Sequence, residues 1–166
     1  LDVSRLQLGR MKVNRIELDL AEFFGEILTV IGPKAQQKKQ KFVKNIPAKL
    51  SVAMLDKRLL RMTLENLLTN AVKYTPEGGT VTLNVAVKDN VLRYEVRDTG
   101  YGIPKAEQGK IFGKLFRASN AQQQEGNGLG LFAAKGAVEA QGGSIRFESE
   151  EGKGTTFFVE LPLKEP

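Results

Sequence analysis

The stretch from Asp56 to Pro76 constrains the fold more than any other part of the chain. At about 100° per residue, Leu60, Leu64, Leu67, Leu68 and Ala71 form one apolar stripe of a helix. Asp56 is a natural N-cap, and Thr75-Pro76 closes the helix, because the residue before a proline avoids the helical region. Opposite the stripe, Asn66, Asn70 and Lys73 fall within roughly 60° of one another. Two amides and an ammonium on one face offer oxygens to a cation and positive charge to an anion, as a metal–polyphosphate complex requires. A solvated helix face is the alternative reading.

What flanks this helix sets the fold class. From a cap at Asp19, residues Leu20, Phe23, Phe24, Ile27, Leu28 and Ile31 recur at helical spacing, and Gly32-Pro33 is expected to kink or end that helix. Ile16, Leu18 and Leu20 alternate with polar residues as in a short strand or linker, and Phe42, Val43 and Ile46 read as a strand ending at Pro47. Val81, Leu83, Val85 and Val87 form a half-buried strand; Lys88-Asp89-Asn90 then turns the chain into a second, from Val91 to Asp98. A helix opened by Gly126-Asn127-Gly128-Leu129-Gly130 and running to Gln141 stops at Gly142-Gly143, and Ser144–Ser149 and Thr155–Leu161 form a hairpin. The order predicts an α+β fold: a two-layer α/β sandwich, with a mixed, mostly antiparallel sheet and helices on one face.

Composition removes several chemistries. The 166 residues include no Cys and no His. That excludes disulfides, thiolate or histidine metal sites, Ser-His-Asp triads, and a phosphohistidine on this chain. A formal charge of +6 and a pI near 9.6 suggest an anionic partner. Lys34, Lys38, Lys39, Lys41 and Lys44 read as a solvated helix face and strand start. Without aromatic interleaving beyond Phe42, a basic nucleic-acid-binding module is the lesser reading. No apolar run approaches a membrane span.

Two glycine clusters follow chemically suggestive positions. Period two places Asp98 on the same face as Leu92, Tyr94 and Val96, where an ionised carboxylate is costly unless something donates to it. Asp98-Thr99-Gly100-Tyr101-Gly102 lets backbone approach a flat ligand, although Asp-Thr-Gly is equally a common turn. Gly126-Asn127-Gly128-Leu129-Gly130 opens a helix, where backbone N–H groups and the dipole favour phosphate. Neither a Walker loop nor a dinucleotide fingerprint in its required strand context is present, and a His-Arg-Asp catalytic loop is impossible.

Taken together and in this order, with Gly152-x-Gly154-Thr155 and the segment Ile111, Phe112, Leu115, Phe116, these motifs resemble the catalytic and ATP-binding domain of bacterial sensor histidine kinases. That domain belongs to the superfamily shared with gyrase-type and Hsp90-type ATPases, with the Bergerat-type ATP-binding fold. The resemblance implies that Asn70 coordinates Mg²⁺, that Asn66 supports metal and phosphates, and that Lys73 meets the phosphates. Tyr74 would pack near adenine, Asp98 would accept its amino group, and Gly100, Gly102, Ile103 and Thr155 would shape the base pocket. Gly126, Gly128, Leu129, Gly130 and Leu131 would close over the phosphates, and Arg117 would steady the γ-phosphate. The polar segment from Ala106 to Asn127 would be a lid, weakly ordered without nucleotide. Gly113 and Leu115 depart from the family's acidic and aromatic residues, which puts lid packing in doubt.

The resemblance also implies a setting. Residues 1–14 would be the end of a dimerisation helix with its linker, and 15–166 the catalytic domain. Leu1-Asp2-Val3-Ser4 lacks an initiator Met, so a fragment of something larger is expected. The cofactors would be ATP and Mg²⁺. The partners would be the chain's own upstream phosphoacceptor domain, in a homodimer, and a response regulator. Nucleic acid is not expected, the location would be cytoplasmic, and any membrane attachment would lie in other segments. Asn66 favours a kinase, because hydrolytic relatives place a Glu there and an amide cannot abstract a proton. An anti-sigma-type Ser/Thr kinase and a nucleotide-binding pseudokinase are the alternatives on the same fold.

Overall fold

The structure, a computed structural model, describes residues 11–113 and 130–163. Strand β1 (Ile16–Asp19) leads into helix α1 (Leu20–Gln37), whose first turn is capped by Asp19 accepting from the Glu22 N–H at 3.2 Å. Strands β2 (Lys41–Asn45) and β3 (Val52–Leu55) follow, then helix α2 (Lys57–Tyr74) and the hairpin β4 (Thr80–Lys88) and β5 (Val91–Asp98). A short 3₁₀ turn (Lys105–Lys110), helix α3 (Gly130–Ala140) and the hairpin β6 (Ser144–Glu150) and β7 (Gly154–Pro162) complete the described chain.

Five strands make the main sheet in the order β2-β4-β5-β7-β6. Only the β2–β4 pair is parallel; the rest are antiparallel, as expected for helices gathered on one face. Alternation decides the faces. Val81, Leu83, Leu92, Tyr94, Val96, Val159 and Leu161 are buried in one core with the apolar stripes of α1 and α2. Arg93, Glu95 and Arg97 lie on the opposite face. In α3 the buried residues are Ala133, Ala134, Ala137 and Val138, small enough to let this helix pack close to α2. Its end is a Schellman turn: Gly142 (φ 80°) and Gly143 donate to the Glu139 and Val138 carbonyls.

Three features differ from the sequence reading. Of the kink or end expected at Gly32-Pro33, the end does not occur: helix α1 runs on to Gln37. Pro33 and Thr29 lie on its exposed side, so the Thr29 carbonyl that Pro33 cannot serve stays open to water, while Ile27, Ile31 and Ala35 remain buried. The true end has Lys39 in the left-handed region (φ 55°), with Gln40 and Lys39 donating to the Ala35 and Gln36 carbonyls. Strand β3, unforeseen, pairs with β1 in a separate two-stranded sheet, Ile16 facing Leu55 and Asp19 facing Val52. Finally, within Ala106 to Gly113, assigned from sequence to the lid, Gln108, Ile111 and Phe112 are held against the sheet. Ile111 is buried and Phe112 makes edge contacts with Phe147 and Phe157. The remainder of that lid, the segment 1–10 and the chain end lie outside the described residues.

Candidate functional site

Helix α2 is fixed at both ends by side chains distant in sequence or by backbone. At its start, Asp56 is buried and works twice: Oδ1 accepts from the Leu59 N–H at 3.0 Å and Oδ2 from the Asn14 N–H at 2.7 Å. Leu59, Leu60, Leu64, Leu67, Leu68, Ala71 and Val72 are buried, as the periodicity requires. That orients Asn66, Asn70, Lys73 and Tyr74 to the partly exposed side. Neither Asn66 nor Asn70 has a hydrogen-bond partner for its side-chain amide among the described residues, and Lys73 Nζ sits 5.9 Å from the Tyr74 ring centre. Free amide oxygens one helical turn apart fit a hard cation that keeps waters and phosphate oxygens as its other ligands. No group of three or more acidic or cysteine side chains that could cage a metal exists among the described residues.

The start of α3 comes to this face. A methyl group placed on Gly130 would stand 3.5 Å from Asn66 Oδ1. Gly130 and Asn66 are thus neighbours, and Leu131 packs against the core. Arg117, Gly126, Gly128 and Leu129 lie outside the described residues.

At the other end, the loop after β5 docks on the last turn of α2. Tyr101 donates to the Tyr74 carbonyl at 3.2 Å, and Gly100 approaches that carbonyl so closely that a Cβ would collide with it. Gly102 (φ 68°) presses in the same way on the Glu150 carbonyl. Register places Asp98 opposite Thr155, and Thr155 opposite Ser149. Asp98 Oδ1 accepts from the Gly100 N–H at 2.8 Å and the Thr155 N–H at 3.3 Å. Its other oxygen has no donor among the described residues. Burial pushes the Asp98 carboxyl up from 3.8 to about 6, and the Gly100 and Thr155 N–H groups pull it back down.

So the structure gathers Tyr74, Asp98, Gly100, Gly102, Ile103 and Thr155 around one loop, and Asn66 with Gly130 beside it on α2. Two residues that the sequence did not single out hold the loop. Ser149 Oγ accepts from the Ile103 N–H at 2.9 Å and lies 2.8 Å from Thr155 Oγ1. Gln108 donates to the carbonyls of Ile103 and Ser149, both at 3.0 Å. Nothing local marks either residue; their roles arise only when β6 and β7 pair. Glu65, one position on from Leu64, is 3.9 Å from Arg61 Nε, an i,i+4 pair along the helix.

A mixed sheet with helices on one face, and a strand-end carboxylate beside a capped amide-bearing helix, define a class of protein. Residues 55–165 match the histidine kinase-, DNA gyrase B- and HSP90-like ATPases, and the chain belongs to that family. Within it, the similar proteins are sensor kinases. The chain is 37% identical over 164 residues to the adaptive-response sensory kinase SasA of Synechococcus sp. (strain JA-3-3Ab), covering 98% of this chain and 44% of that one. It is 35% identical over 169 residues to the sensor histidine kinase WalK of Bacillus subtilis (strain 168), covering 99% and 28%. Among solved structures, full-length ShkA in complex with AMPPNP superposes with a TM-score of 0.83 at 27% identity, covering 98% of this chain and 34% of that one. The chain therefore spans less than half the length of these relatives. No described helix is long and apolar enough to cross a membrane.

Proposed function

We propose that this chain is the catalytic domain of a sensor histidine kinase, binding ATP with Mg²⁺ and handing the γ-phosphoryl group to a histidine on a separate helical domain. The observation that carries the reading is Asp98: one oxygen is held by two backbone donors and the other has none among the described residues, at a partly buried strand end. The adenine amino group supplies the missing donor. Tyr74, Gly100, Gly102, Ile103 and Thr155 surround that position. Asn66 and Asn70 supply oxygens for the metal, and Lys73 supplies positive charge for the phosphates. Mg²⁺, when bound, neutralises phosphate charge and orients the leaving group. Gly126, Gly128, Leu129, Gly130 and Leu131 cover the phosphates, and Arg117 steadies the transferring group.

The wider setting follows from the same reading. Residues 1–14 are the end of a dimerisation helix with its linker and 15–166 the catalytic domain, which works on the cytoplasmic side in a homodimer with a response regulator, any membrane attachment lying in other segments of the full-length protein. Calorimetric titration of this chain with ATP and GTP, with and without Mg²⁺, tests the core of the proposal. ATP should bind more tightly than GTP, with a metal-dependent enthalpy. Equal affinity for both nucleotides, or none for either, would overturn it.

A further inference from the structure

The last turn of α2 carries Lys73 and Tyr74, and its carbonyls need donors from outside the helix. Thr75 is extended (φ −104°, ψ 125°) and Pro76 has no N–H, so the usual glycine-type cap is not available. The donors come from the end of α1. Lys38 Nζ lies 2.9 Å from the Val72 carbonyl, 3.0 Å from that of Lys73 and 2.9 Å from that of Thr75. Gln40 Nε2 adds bonds to the Val72 carbonyl at 2.8 Å and the Thr75 carbonyl at 2.6 Å. Tyr101 serves the Tyr74 carbonyl. All three Lys38 protons are thus committed to backbone oxygens, an arrangement unlike a solvated lysine, and an ammonium at a helix C-terminus also complements the dipole. Partial burial lowers the Lys38 pKa, consistent with removal from water.

We infer that Lys38 is a positioning residue for the nucleotide site: its ammonium fixes the backbone of Lys73, and through it the charge that meets the phosphates. The inference rests on the nucleotide reading given above. Among the hydrogen bonds of the described residues, Lys38 is the side-chain donor to the Lys73 carbonyl. Gln40 alone leaves that carbonyl unserved. Without Lys38, the last turn loses its clamp at the residue whose side chain must reach the ligand.

The experiment is a double-variant cycle read by ATP affinity. Lys38→Met, which keeps the stem and removes the donors, should weaken ATP by about tenfold. In a Lys73→Met background the same change should have little further effect, because the charge it positions is already gone. Lys38→Arg, which restores multiple donors, should recover most of the affinity. A merely structural cap predicts otherwise: a lower melting temperature, with losses that multiply in the double variant. Multiplying losses, or wild-type ATP affinity in Lys38→Met, would overturn the inference. If Lys38→Met melts below the assay temperature, Lys38→Gln, which keeps two uncharged donors, enters the same cycle. Wild-type protein that binds no ATP would instead overturn the nucleotide reading itself.

Discussion

Asp98→Asn separates the turn-capping role of Asp98 from its ligand role, because the two respond differently to pH. The carboxyl titrates at about 6 in the fold against an ordinary 3.8. At roughly 1.4 kcal/mol per unit, ionising it costs the folded state about 3 kcal/mol. The associated stability is fully present below pH 3.8 and is lost as the pH rises through about 6. An asparagine keeps an oxygen to accept from the Gly100 and Thr155 N–H groups but never ionises. The variant should therefore gain on the wild type as pH rises from 4 to 8, by about 3 kcal/mol, or about 6–12 °C in melting temperature for a domain of this size. Base preference gives the second arm. Guanine presents a carbonyl where adenine presents an amino group, so the ionised wild type should disfavour GTP by on the order of 1–3 kcal/mol. The asparagine can turn its amide to donate, so it should weaken ATP and narrow the gap. Below pH 6 the protonated wild type can also donate, and its own ATP-to-GTP ratio should shrink. Parallel melting curves for both proteins across pH 4–8 would refute the burial argument. An unchanged nucleotide ratio would refute the adenine role.

Asn70→Ala should leave the melting temperature near wild type and abolish the effect of Mg²⁺ on ATP binding; a retained metal response in calorimetry would place Asn70 outside the site. The chain alone should acquire no acid-labile phosphate from labelled ATP, since it has no histidine, but should label a separately supplied phosphoacceptor hairpin in trans. Phosphohistidine-type label on this chain by itself would contradict the assigned roles. Gly154→Ala should lower stability by about 2 kcal/mol or more in a denaturant titration. Gly154 has φ 125° and a Cβ would strike the Asp98 carbonyl, so an unshifted midpoint would exclude that contact. Asp56→Ala removes both an N-cap and the acceptor of the Asn14 N–H, and should cost about 1–2 kcal/mol; Asp56→Asn should recover part of it.

What was legible in the sequence was whatever carried a period and a stop. The α2 stripe, its Asp56 cap and its Thr75-Pro76 end fall where periodicity and chain chemistry put them, and so does Asp98 on the face of Leu92, Tyr94 and Val96. What escaped depended on a partner elsewhere in the chain. Strand β3 has four residues and exists because β1 lies alongside it. Helix α1 ends on a left-handed Lys39, where a glycine would have announced the turn, and so the louder Pro33 suggested an end that the helix does not take. Lys38 looked like one more member of a solvated lysine run; its destination was set by a helix end some 35 residues away. Ser149 and Gln108 are ordinary polar residues until the hairpin brings them under the Asp98 loop.

Reaction type turns on one helix position. On the proposed reading, phosphate bound against α2 would face Asn66 and Asn70, and neither amide can take a proton from water. The adjacent carboxylate, Glu65, is about 100° around the helix and lies near the Arg61 guanidinium. Making it a base would require Glu65 to leave Arg61 and swing to the other face, where the start of α3 already stands against Asn66. With no carboxylate on the Asn66–Asn70 face to activate water, hydrolysis has no base from that face of α2, and an imidazole needs none, since its neutral nitrogen is already a nucleophile at physiological pH. On the proposed reading, an asparagine at position 66 would suppress loss of the γ-phosphoryl group to water and leave it available to an incoming histidine. Asn66→Glu should raise ATP turnover in the absence of an acceptor, measured as released phosphate, while lowering transfer to the supplied hairpin. Unchanged phosphate release would mean that something other than the amide at this position restrains hydrolysis.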